Sequence, residues 1–95
     1  MDMKSITTIE AYVESISEQK TISRGKKGLL DKVEITLVMS DKQKLFVEIR
    51  NNNISKLITN NIEVASFVSV DMFFQGSEKN GLRYNNLYVK DIKKI

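Results

Sequence analysis

The sequence contains no cysteine, histidine, tryptophan or proline. Without cysteine the chain can form no disulfide and offers no thiolate to a metal or a substrate. Without histidine it lacks the commonest general base and the commonest neutral metal ligand. The aspartates Asp31, Asp41, Asp71 and Asp91 are scattered without a pairing pattern, and no phosphate-cradling motif or nucleophile–base pair is present. We therefore expect no enzyme activity, no metal and no cofactor.

Long apolar runs are also missing. No stretch approaches the roughly 18 apolar residues that a membrane-spanning helix requires. The opening "MDMKSITTIE" lacks the apolar run of a signal peptide. The sequence thus predicts a cytoplasmic protein with no membrane partner.

What is present suits a small globular protein. The chain has 95 residues and 41% of them are hydrophobic, so we expect a single domain over residues 1–95 with one small core. The net charge of +3 is mildly basic, which permits a polyanionic partner without requiring one.

Alternation of apolar and polar residues predicts three strands in the first half, over residues 7–17, 31–40 and 44–51. The loop "EQKTISRGKKGLL" separates the first two strands, and "DKQ" forms a hairpin turn before the third. The inward faces are predicted to hold Ile9, Ala11 and Val13, then Val33, Ile35, Leu37 and Met39, and then Leu45, Val47 and Ile49.

The second half predicts a short helix and two more strands. Asn53 is predicted to cap a helix of at most two turns, which Asn60 or Asn61 ends. A strand over residues 63–75 follows, with Val68, Val70, Met72 and Phe74 on one face. After the loop "GSEKNG", the last strand runs from Leu82 to Val89 or Ile92 with Leu87 and Val89 inward.

Three strands, a short helix and two strands, without a βαβ signal, predict an all-β fold. The helix between the third and fourth strands would close one end of a five-stranded Greek-key barrel, which is the pattern of the OB-fold. A barrel also removes the exposed edges of an open sheet. An SH3-like barrel is the alternative, but it has no helix at this position.

Four segments, in order, resemble a family of small bacterial OB-fold domains that are similar to single-stranded-DNA-binding proteins and common in the Bacteroidetes. These segments are "SRGKKG", "KLFVE", "VSVDMFF" and "GLRYNNLYVKDI". The resemblance implies an OB-fold that binds single-stranded nucleic acid in DNA replication, repair or recombination.

The chain departs from that family at two points. Residues 89–95, "VKDIKKI", are basic and predicted as part of the last strand, whereas single-stranded-DNA-binding proteins usually carry a disordered tail with an acidic tip. We do not expect partner recruitment through such a tail here. The family's third strand often ends in an aromatic residue, whereas this chain has Arg50.

Three groups of residues are candidates for a nucleic-acid site. The first is the basic loop, with Lys20, Arg24, Lys26 and Lys27, whose charges could neutralise phosphates; the alternative is a solvated, mobile loop.

The second is the outward face of the second and third strands, which presents Lys32, Thr36, Phe46 and Arg50. An outward Phe beside cations suits base stacking, although Phe46 could equally pack against a loop or a subunit.

The third group belongs to the last hairpin. Alternation places Phe74 in the core, and places Phe73 and Tyr88 on the outer face beside Arg83. Tyr84 is ambiguous, because a bulge near "NN" would change its side. Here "GSEKNG" would be a mobile flap over the groove; the alternative is a plain hairpin whose aromatic residues pair across the strands.

The sequence therefore predicts non-catalytic binding of single-stranded DNA, with RNA as the alternative ligand and with little sequence preference. The predicted binding residues are Lys20, Arg24, Lys26, Lys27, Lys32, Phe46, Arg50, Phe73, Lys79, Arg83, Tyr84 and Tyr88. The alternative function is protein interaction or assembly, in which Tyr12, Phe46 and Phe73 form one apolar interface. A homo-oligomer, either a dimer or a tetramer, is expected and is compatible with both functions.

Overall fold

The computed structural model describes residues 6–95, with the exception of the side chain of Lys79. These residues form six strands, one short helix and two 3₁₀ turns. The strands are β1 (Ile6–Ile16), β2 (Lys20–Ser23), β3 (Leu29–Val38), β4 (Lys44–Arg50), β5 (Phe67–Lys79) and β6 (Leu82–Lys94). The helix α1 (Ser55–Thr59) lies between β4 and β5, where the sequence predicts it.

The strand pairings close into a ring. The sheet order is β1-β5-β6-β4-β3-β2, and β1 pairs with β3 as well, so five of the strands form a circuit and β2 extends it at one side. β4 and β6 run parallel and meet only at Glu48 and Tyr88. A register shift between Val13 and Ser15 lets β1 pair with β5 along its first half and with β3 along its second. This is the predicted Greek-key barrel.

The core occupies the inside of this ring, and for β1, β3 and β4 the alternation predicted it correctly. The fully buried side chains include Val13, Ile35, Leu37, Ile49, Val68, Val70, Met72 and Ile92. From the segment between β4 and β5, Ile54 and Leu57 pack against this cluster. Ile58 instead faces solvent.

The helix begins differently from the prediction. Asn53 lies inside a 3₁₀ turn, Asn51–Ile54, that leads into α1, and α1 has no side-chain cap at its start. Its end agrees with the prediction, because the backbone N–H of Asn60 donates to the carbonyl of Lys56. Asn61 follows with a positive φ of 53°, which asparagine tolerates better than most residues.

The basic loop of residues 18–30 is more ordered than predicted. Lys20–Ser23 forms β2, which pairs with β3, and the Thr21 hydroxyl donates to an Asp31 carboxylate oxygen at 2.7 Å. Gly25–Lys27 forms a 3₁₀ turn between the two strands. The Arg24 amide donates to the Gly28 carbonyl at 2.9 Å and closes the turn. The sequence predicted a loop here, and β2 and the 3₁₀ turn correct that prediction.

The segment "GSEKNG" is not a loop either. β5 and β6 stay paired from Gln75 with Asn86 to Lys79 with Leu82, so that the two strands form a ribbon. The turn consists of Asn80 and Gly81 alone, with φ of 53° and 79°. Positive φ at both central residues is what a type I′ turn requires, and Asn-Gly is its preferred sequence. We call residues 74–87 the β5–β6 ribbon.

Candidate nucleic-acid interface

The outer faces of β2, β3 and β4 arrange the predicted residues in rows across the strands. Lys20 pairs in register with Lys32, and Lys32 with Arg50, so the first row is cationic. The second row holds Glu34 opposite Glu48, and the third holds Thr36 opposite Phe46. Register partners in antiparallel strands point to the same face. A cationic row, an acidic row and an aromatic row therefore share one surface.

The acidic row pairs with the cationic row. Lys32 Nζ lies 3.5 Å from Glu34 and 3.4 Å from Glu48, and Lys20 lies 3.7 Å from Glu34. Two like charges that face each other across strands repel, and Lys32 offsets this repulsion because it contacts both. Sequence reasoning counted the cations of this face and missed Glu34 and Glu48, although both alternate in phase with them.

Phe46 is the most exposed aromatic residue among those predicted to bind. Its ring is 71% exposed. It lines a groove of about 340 Å³ together with Lys32, Thr36, Arg50, Asn85 and Asn86. The groove opens where β6 diverges from β4 beyond their one point of pairing. A flat, accessible ring beside cations and amides is suited to a nucleobase.

Arg50 lies over Tyr88. Its guanidinium carbon is 4.2 Å from the centre of the Tyr88 ring. Its Nε donates to Glu48 Oε2 at 3.0 Å, and its Nη2 forms an ion pair with the same oxygen at 2.9 Å. Tyr88 is on the outer face as predicted, because it is the register partner of Glu48 and Phe73. The prediction that it is accessible is wrong, since Arg50 and Phe73 leave only 8% of it exposed.

The β5–β6 ribbon corrects two further predictions and settles one that was left open. Phe74 is 56% exposed rather than in the core, because the strand has passed the end of the barrel. Arg83 pairs with Glu78 and lies on the opposite face of the ribbon from Tyr88. Tyr84 is exposed and shares the face of Tyr88, which settles its ambiguity. The predicted contribution of the Lys79 side chain lies outside the described residues.

The basic turn between β2 and β3 carries cations without acidic partners. Within residues 6–95, no ion pair involves Arg24, Lys26 or Lys27; Arg24 Nη2 lies 3.5 Å from the Lys27 carbonyl. Both lysines are exposed. Arg83, by contrast, lies 3.8 Å from Glu78 in a pair that is open to solvent and therefore weak.

The three aromatic residues of the predicted assembly patch do not lie together. Phe73 is half-buried against Tyr88, with ring centres 5.5 Å apart, and Phe46 lines the groove on β4. Tyr12 meets Phe67 edge to face at 5.4 Å. It lines a separate, largely apolar groove with Val38 and Ile95. We call this second surface the Tyr12–Phe67 surface.

Two crystal structures are similar to the chain over nearly its whole length. One crystal form of Rim1, the mitochondrial single-stranded DNA binding protein of S. cerevisiae, matches with a TM-score of 0.65 and 16% identity, over 97% of this chain and 96% of that chain. A second form matches with a TM-score of 0.60 and 19% identity, over 100% and 96%. No protein-family model and no curated protein matches the sequence.

The chain has the predicted OB-fold. At these identities the likeness concerns the fold, and both similar structures are of a mitochondrial protein from yeast, so kinship with a bacterial family stays a prediction. No described helix is long and apolar enough to cross a membrane. Residues 6–95 contain no group of three or more acidic, histidine or cysteine side chains that could hold a metal ion.

Proposed function

We propose that the protein binds single-stranded DNA with little sequence preference and has no catalytic activity. The observation that carries this proposal is the groove on β3 and β4, where exposed Phe46 lines the same surface as Lys32 and Arg50, with Glu34 and Glu48 between them. An exposed aromatic ring with cations nearby suits a single strand because phosphates meet the cations and every base has a flat face to stack. The likeness of the fold to a mitochondrial single-stranded DNA binding protein supports it.

The residues divide into two roles. Lys26, Lys27 and Arg24 contact phosphates from the β2–β3 turn, where no acidic side chain competes with the ligand. Phe46 stacks a base in the groove, and Tyr84 extends the aromatic surface along the ribbon. Lys20 and Lys32 contribute less, because a phosphate must compete with Glu34 and Glu48 for them.

Fluorescence anisotropy with a labelled oligothymidylate tests the proposal. The oligonucleotide should exceed the roughly 4–16 nucleotides that one OB-fold covers. We expect binding at about 50 mM salt that weakens markedly at about 200 mM. Oligouridylate and duplex DNA of equal length serve as competitors, and we expect duplex to compete poorly. No binding at low salt, or binding that salt leaves unchanged, would contradict the proposal.

We also propose that the chain assembles into a dimer or tetramer through the Tyr12–Phe67 surface. The supporting observation is that Phe67 is 65% exposed beside Tyr12 and exposed Ile95, a grouping of apolar side chains that a partner surface would cover. Sedimentation velocity tests it. We expect Phe67→Asp to lower the mass and Phe46→Asp to leave it unchanged; a parent protein that sediments as a monomer contradicts assembly.

A further inference from the structure

We propose that Tyr88 is a latent base-stacking site that Arg50 covers in the free protein and uncovers when it binds a phosphate of a single strand. This inference rests on the proposed function. It adds a second stacking position to the groove and gives Arg50 two alternative partners.

Tyr88 is almost inaccessible, yet it does not belong to the buried cluster inside the barrel. Its register partners Glu48 and Phe73 place it on the outer face. Arg50 and Phe73, which share this outer face, both contact the ring. A side chain can leave a surface without opening the barrel.

Arg50 covers Tyr88 with a group that can also bind phosphate. Its guanidinium carbon lies 4.2 Å from the centre of the Tyr88 ring, and its Nε and Nη2 contact Glu48 Oε2. A guanidinium presents a planar fork of donors that also fits two phosphate oxygens. A bound strand thus offers Arg50 a second anionic partner besides Glu48 Oε2, while its base offers Tyr88 a flat face in place of the guanidinium.

Glu48 keeps Lys32 as an ion-pair partner when Arg50 moves away. Lys32 Nζ lies 3.4 Å from Glu48 Oε1, whereas Arg50 occupies Oε2. The carboxylate therefore does not become a half-buried charge without a counterion, which would oppose the movement. Lys32 stays behind as the fixed cation and Arg50 is the movable one.

Tyr84 and Tyr88 belong to one continuous face of β6. Tyr84, Asn86 and Tyr88 share one face of β6, because their partners Ser77, Gln75 and Phe73 alternate in register. Phe73 supports the Tyr88 ring from the side, at 5.5 Å and a tilt of 45°. Once uncovered, Tyr88 continues the surface of Tyr84 toward β4. The next base of a strand would then stack on it.

Tyrosine fluorescence tests the inference, because the chain has three tyrosines and no tryptophan. The variant Tyr12→Phe/Tyr84→Phe leaves Tyr88 as the only emitter. The control Tyr84→Phe/Tyr88→Phe leaves Tyr12, which lies outside the groove of Phe46. We expect oligothymidylate to quench Tyr88 and to leave Tyr12 unchanged. In the free protein, Arg50→Met should make Tyr88 more accessible to acrylamide.

Affinity provides the second readout. Tyr88→Leu should weaken oligothymidylate binding by about tenfold if a base stacks there, and a thermal unfolding curve shows whether the variant is folded. If Tyr88→Leu does not fold, the fluorescence of the folded variants decides. Undiminished anisotropy binding with constant Tyr88 emission overturns the latent site and leaves the proposed function intact. No anisotropy binding at any salt concentration overturns both.

Discussion

At the scale of single residues, ion pairing decides which cations of the candidate interface are free of a carboxylate that would compete with a phosphate. Lys32 and Arg50 both contact Glu48, at 3.4 and 2.9 Å, so a phosphate must displace or share them. Lys26 and Lys27 have no such competitor among the described residues. The number of basic residues therefore overstates the charge that this surface offers.

Replacement of Phe46 separates stacking from charge. We expect Phe46→Ala to weaken oligothymidylate binding by about tenfold with little change in the salt slope, because no cation is lost. The exposed ring contributes little to folding, so the free energy of unfolding should change by less than about 0.5 kcal/mol. Anisotropy and urea unfolding measure the two effects. Ile58→Ala is the control, because Ile58 is exposed on α1 and does not line the groove.

Asp91 should make the stability depend on pH. Burial raises the pKa of its carboxyl, but Lys56, the Ile92 amide and Lys93 outweigh burial and hold the pKa below its ordinary value. A carboxyl with a lowered pKa in the folded state stabilises the protein fully above its ordinary pKa. That stabilisation is lost as the pH falls through the lower value.

We therefore expect Asp91→Asn to be less stable than the parent at pH 7, with a difference that shrinks in acid. Urea unfolding over a series of pH values measures this. Glu10→Gln is the control, because Glu10 is an exposed carboxylate without an ion pair in the described part of the chain. A difference between Asp91→Asn and the parent that persists unchanged to low pH would contradict the assignment.

At the scale of elements, two hairpins frame the groove, and both are more regular than their composition suggests. β2 and β3 are joined by the 3₁₀ turn Gly25–Lys27, and β5 and β6 by Asn80 and Gly81. Backbone pairing along both hairpins limits how far their tips can move. The β2–β3 turn and the β5–β6 ribbon therefore have regular backbone structure without a bound ligand.

The ribbon depends on the conformation of Gly81. Its φ is 79°, which a side chain makes unfavourable by about 1–2 kcal/mol. Gly81→Ala should therefore increase hydrogen exchange of the ribbon amides, while those of the barrel stay protected. Gly76→Ala is the matched control, because a Cβ there would meet only Asn85 Oδ1 at 3.8 Å and the Tyr84 carbonyl at 4.0 Å. Equal exchange in both variants would show that the turn does not control the ribbon.

The β2–β3 turn should account for part of the salt dependence. We expect Lys26→Ala/Lys27→Ala to weaken binding to every single-stranded sequence alike and to reduce the salt slope by about 0.7 for each lost phosphate contact. The control is Lys90→Ala/Lys94→Ala, which removes the same charge from exposed lysines at the end of β6 that form no ion pair among the described residues and do not line the groove. If both pairs flatten the slope equally, net charge rather than this turn is responsible.

At the scale of the whole molecule, one closed ring supports every part of the interface. β3 and β4 carry the rows, β6 carries Tyr84 and Tyr88, and the ring joins these strands around a single core. A defect in the core should therefore weaken all parts together. Damage to the surface should affect only its own contacts.

Leu37→Ala tests that dependence. Leu37 is fully buried between β1 and β4, and its truncation should lower the free energy of unfolding by about 2–5 kcal/mol. Urea denaturation with a single transition measures it. We expect oligothymidylate affinity to be retained where the variant is still folded, because Leu37 does not face the ligand. Normal stability in this variant would contradict the assigned core.

The sequence by itself determined the buried faces of β1, β3 and β4, because strict alternation allows only one face of each strand to be buried. It also determined the outward position of Phe46, since shifting a strand by one residue would expose its whole apolar face. Alternation along the sequence did not predict burial correctly for Phe74, whose exposure depends on where the strand leaves the barrel. Phe74 alternates in phase with Met72, and only the length of the ribbon beyond the barrel shows that it meets solvent.

The tertiary structure alone decided the state of Tyr88. Parity placed its ring outward correctly, but its cover comes from Arg50, 38 positions earlier, held by Glu48. The pairing of β4 with β6 brings these residues together. The spacing of residues along the sequence does not predict a contact between strands so far apart in the chain. The sequence therefore specified most of the residues that face outward, whereas strand pairing decided which of them are accessible to solvent.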